Sequence, residues 1–205
     1  MDPARLYALD IETDTSVDGL DAEVAPVIAV GLAYQGRSIT FDGPESELLR
    51  SLDDHLGSLP PGLIITWNGS RFDLPFLDAR ARHCGTPVAL RLVPVRRHVH
   101  TAHAEPRWDA RWYDHRHLDL YDLYRNDVGA GLGISCGLKR MARLAGLDPV
   151  EVDFERFHEL DRTEVARYVR SDAEVTRVLA LRRWPSVRRA ADLPFPPSPV
   201  EPTPP

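Results

Sequence analysis

Leu6-Tyr7-Ala8-Leu9-Asp10-Ile11-Glu12 is the stretch on which the reading of this chain turns. A short apolar run of this kind, too brief for a helix, predicts a buried strand. Successive strand side chains alternate faces, so Asp10 and Glu12 project from the same side. Two carboxylates arriving together from a rigid element suit a hard divalent cation. They also end an apolar strand, where a charge is costly unless something pairs with it. The spacing alone is cheap: at this acid content roughly five acid-x-acid pairs are expected by chance, and Glu151-x-Asp153-x-Glu155 is another. Context is what sets the first pair apart.

Outward from that strand, 27–34 and 38–41 read as two more, joined by Gln35-Gly36 in an antiparallel meander. Pro44 opens a helix with Leu48, Leu49, Leu52 and Leu56 at helical spacing. Pro60-Pro61-Gly62 breaks the chain before a buried strand at 63–67, and a helix is expected from Ser70 to His83. Residues 117–121 read as a strand, 135–145 as a helix closed by Gly146, and 162–184 as the last helix. Such an order predicts an α/β fold, a mixed sheet covered by helices. The domain boundaries drawn are 1–184 for the folded unit and 185–205 for a proline-rich, disordered tail that the chemistry does not need.

Two further motifs share the pattern of acids beside aromatics. Trp67-Asn68-Gly69-Ser70-Arg71-Phe72-Asp73 ends a strand and starts a helix. Taken alone, Asn68 or Ser70 would be an N-cap and Asp73 a helix-dipole partner. Tyr168-x₃-Asp172 puts a phenol and a carboxylate on one helix face, an interval that surface helices also carry.

Each signal is modest, but their conjunction and order are specific. Asp-x-Glu on the first strand, Asn-x₃-Phe-Asp at a strand-to-helix turn and Tyr-x₃-Asp on the last helix resemble the DEDD superfamily of 3′→5′ exonucleases in its tyrosine-bearing branch (DEDDy). The wording is similar to the proofreading domains of B-family DNA polymerases and their stand-alone bacterial relatives, over about residues 5–184. The resemblance implies a ribonuclease H-like (DnaQ-like exonuclease) fold with a central mixed sheet flanked by helices. It implies two divalent metal ions, Mg²⁺ or Mn²⁺, with Asp10 bridging both, Glu12 and Asp172 completing the first site, and Asp73 holding the second. Tyr168 would orient the attacking water. Arg167 stands five before Asp172, so the histidine branch does not fit. Asn68 and Phe72 would line the path of the terminal nucleotides, and Thr13 would sit near the 3′ hydroxyl. The implied substrate is single-stranded nucleic acid with a free 3′ end, DNA favoured, with a polymerase or repair partner in trans. A 3′→5′ exoribonuclease, or an inactive nucleic-acid-binding module of the same fold, are the alternatives.

Composition narrows the class without deciding it. The chain has 205 residues, 43% hydrophobic and 27% charged, enough for one core. No apolar run is long enough to span a bilayer, and the N-terminus shows no signal-peptide pattern. With Cys84 and Cys136 far apart, the cysteines read as buried free thiols of a cytoplasmic protein. The net charge of −6 does not advertise a nucleic-acid binder, but it is uneven: residues 1–70 hold 12 acids and 3 bases, residues 71–116 hold 5 acids and 9 bases. Lys139 is the one lysine beside 24 arginines, a bias read as GC-rich coding.

Residues 91–117, with five of the eight histidines, show no clear periodicity and read as a long basic loop packed on the domain. Touching a phosphate backbone, with Trp108 or Trp112 stacking on bases, is the functional alternative; a zinc patch at His98, His100 and His103 is a weaker one. Asp119 is a candidate supporting acid near the site, whereas Asp14 and Asp122 read as solvated acids.

Overall fold

The computed structural model describes residues 2–95 and 107–192. Seven strands form one sheet in the order β3-β2-β1-β4-β7-β6-β5. β1 (Leu6–Thr13), β2 (Val27–Tyr34) and β3 (Arg37–Asp42) are the expected antiparallel meander, and β1, β4 (Leu63–Thr66) and β7 (His115–Asp119) run parallel at its centre. Gln35 and Gly36 both take positive φ, 51° and 76°, the geometry that matches the twist of a two-residue hairpin.

Alternation along β1 divides the core. Tyr7, Leu9 and Ile11 face one side, where α1 (Glu45–Ser58) supplies Leu48, Leu49, Leu52 and Leu56, and α2 (Asp73–His83) supplies Leu74, Phe76 and Leu77. Leu6 and Ala8 face the other, against α5 (Leu138–Leu144), α6 (Arg162–Arg182) and α7 (Trp184–Asp192). Asp10 and Glu12 continue that second row, so the acids emerge on the α6 face.

Several expected boundaries move, each for a local reason. The helix drawn from Ser70 begins at Asp73, because 68–72 are spent on a turn. The strand drawn through Tyr121 ends at Asp119, whose carboxylate accepts from the amide of Tyr121 and starts a short helix, α3 (Leu120–Tyr124). A π-helical turn at Arg125–Gly129 and a last turn, α4 (Ala130–Leu132), follow where only a glycine-rich connection was expected.

The basic segment is not a loop where it is described. Leu90–Pro94 is β5 and Trp108–Trp112 is β6, paired antiparallel with each other and onward to β7. Arg91 and Arg111 are exposed on these strands, whereas Leu90, Ala110 and Trp112 are buried. Trp112 is fully buried and its indole donates to Asp53, 2.7 Å away, so it does not stack on bases. His98, His100 and His103 lie outside the described residues. The folded chain also passes the boundary at 184: α7 includes Pro185 and buries Val187 and Ala191 in the core. Residues 193–205 lie outside the described residues.

Candidate active site

Gly31 sits opposite Asp10 in the β1–β2 register, and α6 packs directly on it. That contact brings the Tyr168–Asp172 stretch of α6 over the carboxylates of β1. Asp73, the first residue of α2, comes in from the other layer, and its carboxylate accepts from the amide of Ile11. Beyond Ala8 the register with β4 ends, so Asp73 takes over part of that edge of β1.

Asp10, Glu12, Asp73 and Asp172 are thereby close enough to act on one another electrostatically. Asp73 and Asp172 are buried, while Asp10 and Glu12 keep part of their surface open. Burial first, and mutual repulsion second, push Asp10 and Glu12 well above the usual carboxylate range. Burial pushes Asp73 up to about 7 against the hydrogen bonds it accepts. The Tyr168 phenol donates to Asp172, and its own pKa is raised by burial and by the neighbouring acids.

Composition concealed one member of the site. Lys139, on α5, forms an ion pair with Asp172, and its ammonium lies 4.2 Å from the centre of the Tyr168 ring. The one lysine in an arginine-rich chain was a signal, but nothing in its neighbourhood in sequence links it to residue 172.

The turn that delivers Asp73 is held from beneath by Asp119. This buried carboxylate accepts from the amides of Asn68 (2.9 Å) and Ser70 (3.2 Å) and from the Ser70 hydroxyl. Asn68 adopts φ 70°, a left-handed conformation that asparagine tolerates better than most residues. Arg71 donates to the Asn68 side chain and to Asp122, which Arg107 also grips at 2.8 Å. Asp122 is therefore no solvated acid: it is buried between two guanidiniums. Asp14 does lie apart from the site, its carboxylate accepting from the Ser16 amide in a local turn. Behind the turn, the Thr66 hydroxyl accepts from the Gly69 amide and lies 2.8 Å from the His117 Nε2.

Phe72 is half-buried, its ring 5.2 Å from that of Phe76. Thr13 is buried, and its hydroxyl donates to the carbonyl of Gly19 at 2.7 Å. A register shift between Glu12 and Thr13 separates it from the acids before it. Its position beside a 3′ hydroxyl stays an expectation from the resemblance.

The donor chemistry fits divalent cations: four carboxylates share a partly desolvated place whose repulsion one ammonium only partly offsets. Among the described residues, no three acidic, histidine or cysteine side chains are already drawn into a closed metal cage. The fit therefore rests on charge and donor type.

With this geometry in view, the sequence model "DNA polymerase family B, exonuclease domain" matches residues 33–141, more than half of the chain. The chain belongs to that exonuclease-domain family. The matched stretch carries Asn68, Phe72, Asp73 and Lys139, while Asp10, Glu12, Tyr168 and Asp172 lie outside it. Among similar proteins, a DNA polymerase epsilon catalytic subunit of Arabidopsis thaliana is 32% identical over 136 residues, 64% of this chain and 6% of that protein. DNA polymerase 2 of Aeropyrum pernix is 31% identical over 90 residues, 42% of this chain and 11% of that protein. The chain thus spans about a tenth or less of these curated relatives. A family B DNA polymerase from Pyrobaculum calidifontis superposes with a TM-score of 0.70 at 22% identity, covering 90% of this chain and 25% of that one. That likeness establishes the fold, a ribonuclease H-like mixed sheet with flanking helices. Among the described residues no helix is long and apolar enough to cross a membrane.

Proposed function

We propose that this member of the exonuclease-domain family is a metal-dependent 3′→5′ exonuclease of the tyrosine-bearing branch, acting on single-stranded DNA. The observation that carries the reading is the convergence of Asp10, Glu12, Asp73 and Asp172 with a tyrosine hydroxyl on Asp172. DNA is preferred because the relatives are named as DNA polymerases. The same names make a polymerase the partner beside which such a nuclease would act.

Asp10, Glu12, Asp73 and Asp172 would hold two Mg²⁺ or Mn²⁺ ions, which when bound supply an activated water and charge stabilisation at the leaving oxygen. The protein's own part is to bring the acids together on elements that cannot drift: a central strand, a helix start and a packed helix. Tyr168 remains protonated, because burial and adjacent acids oppose phenolate formation. It orients the attacking water through its hydroxyl and is no general base. Asn68 and Phe72, on the Asp119-braced turn, face the terminal nucleotides.

A single-stranded DNA and a matching RNA, each labelled at the 5′ end, test this with Mg²⁺, Mn²⁺ or EDTA. The expected result is a ladder of shortening DNA products that needs metal, disappears in Asp10→Ala or Asp172→Ala, and slows about 10²-fold in Tyr168→Phe. Shortening of the RNA alone would make the protein an exoribonuclease. A wild-type rate in Asp10→Ala would sink the site assignment. Binding without cleavage in any metal would leave a nucleic-acid-binding module.

A further inference from the structure

An open cavity of about 350 Å³ lies outside the set of carboxylates, none of which lines it. Trp67, Asn68, Arg71, Tyr121, Arg125 and Leu138 line it. Its location follows from topology. Trp67 and Asn68 leave the carboxyl end of β4, and Tyr121 lies just beyond the carboxyl end of β7. Ligands of open α/β sheets collect outside the carboxyl ends of parallel strands. Two lining residues tie the cavity to the site along the chain: Asn68 heads the turn that delivers Asp73, and Leu138 precedes Lys139, which reaches Asp172.

Its chemistry is that of a single-strand subsite. Arg71 is pinned in place by Asn68 and Asp122, with its guanidinium 5.8 Å from the Tyr121 ring. That pairing absorbs much of its charge. Arg125 differs: it is exposed on the π-helical turn and has no acidic partner among the described residues. Asp127, its near neighbour, is engaged by Arg183. The cavity therefore presents an uncompensated guanidinium in a chain of net charge −6. Beside it in the lining stands the half-buried Tyr121 ring, set edge-on against Trp67 at 6.3 Å. A guanidinium beside an aromatic side chain in one cavity suits one nucleotide unit, with the phosphate on the cation and the ring offering the base an apolar contact. A π-helical turn of this sort also recurs at functional positions.

We infer that the Arg125–Tyr121 cavity holds an internal nucleotide of the single strand whose 3′ end lies at the carboxylates, with Arg125 gripping its phosphodiester. The inference rests on the exonuclease reading for its substrate, yet it can be tested apart from cleavage.

Rates on 5′-labelled strands from dinucleotide to octanucleotide, in wild type and Arg125→Ala, read the subsite directly. The loss in kcat/KM should grow with length to roughly fivefold to tenfold, through KM, for an exposed charge-assisted contact. Arg125→Lys should restore part of it. One methylphosphonate, placed at successive linkages, should at a single position make the variant and wild type equal. Arg50→Ala, on α1 across the sheet, should change neither measurement. In EDTA, the anisotropy of a fluorescent strand should report weaker binding by Arg125→Ala, with the slope against log salt shallower by about 0.7. A loss equal at all lengths, no loss, or no equalising linkage overturns the proposal. Altered binding in EDTA with no cleavage by wild type would keep the subsite and remove the exonuclease reading.

Discussion

Gly31 and Val169 occupy space that a side chain would need: a Cβ on Gly31 would stand 2.8 Å from the carbonyl carbon of Val169 and nearer still to its oxygen. The obstacle is helix backbone, which cannot swing aside as a side-chain tip can. Because Gly31 is the register partner of Asp10, this bare position lets the Tyr168 end of α6 settle over the acids of β1. The missing side chain thus belongs to the assembly of the site as much as to its packing.

Gly31→Ala should cost about 1–3 kcal/mol in a urea melt, as overpacking does, and lower activity by more than the loss of folded protein explains. A stability and activity both within error of wild type would mean that α6 does not need this close approach.

Asp119→Ala leaves the buried amide of Ser70 and the half-buried amides of Asn68 and Tyr121 without their acceptor. The expected cost is roughly 2–4 kcal/mol by chemical denaturation. Asp119→Asn, which keeps an oxygen acceptor, should recover part of it. Equal stability of the two variants would count against Asp119 as the brace of the turn.

Lys139 and a divalent cation compete for Asp172. Lys139→Met should therefore lower the Mn²⁺ concentration that half-maximally raises Tm, while making the metal-free protein less stable above neutral pH. In wild type, metal should raise Tm by several degrees through binding to the folded state, and Asp10→Ala should abolish that rise. If Lys139→Met needed more Mn²⁺ than wild type, the ammonium would be supporting the metal site instead of competing with it.

His117 supplies a pH dependence with a definite sign. Burial first, and Arg107 second, depress its pKa to about 3, against about 6.5 in the unfolded chain. Between those values the unfolded state binds more protons, so this residue's contribution is intact above about pH 6.5 and fades as pH falls toward 3. His117→Gln should flatten the fall of stability over that window, measured by urea melts at successive pH values. An unchanged acid limb would show that His117 is not buried neutral.

Strands and helices whose apolar residues kept a clean period were legible, and so were the side chains that share a face, because each motif is local: Asp10 and Glu12 on one strand, Tyr168 and Asp172 on one helix face. Where the signal failed, the reason was long-range pairing. β5 is a short run that ends in proline and β6 mixes tryptophans with charges, so their strand character comes from the partners they pair with. Asp122 resembled any surface acid until Arg71 and Arg107 were seen on it.

By itself, the order of residues determined the meander, the main helices and which carboxylates could share a face, since backbone geometry converts spacing of two or four directly into direction. It could not determine what those faces meet. Only tertiary structure put Lys139 on Asp172, Asp73 on the edge of β1, Gly31 under Val169 and Arg125 beside Tyr121. Those pairings depend on how layers stack and where strands end, and no interval along the chain encodes a distance across it.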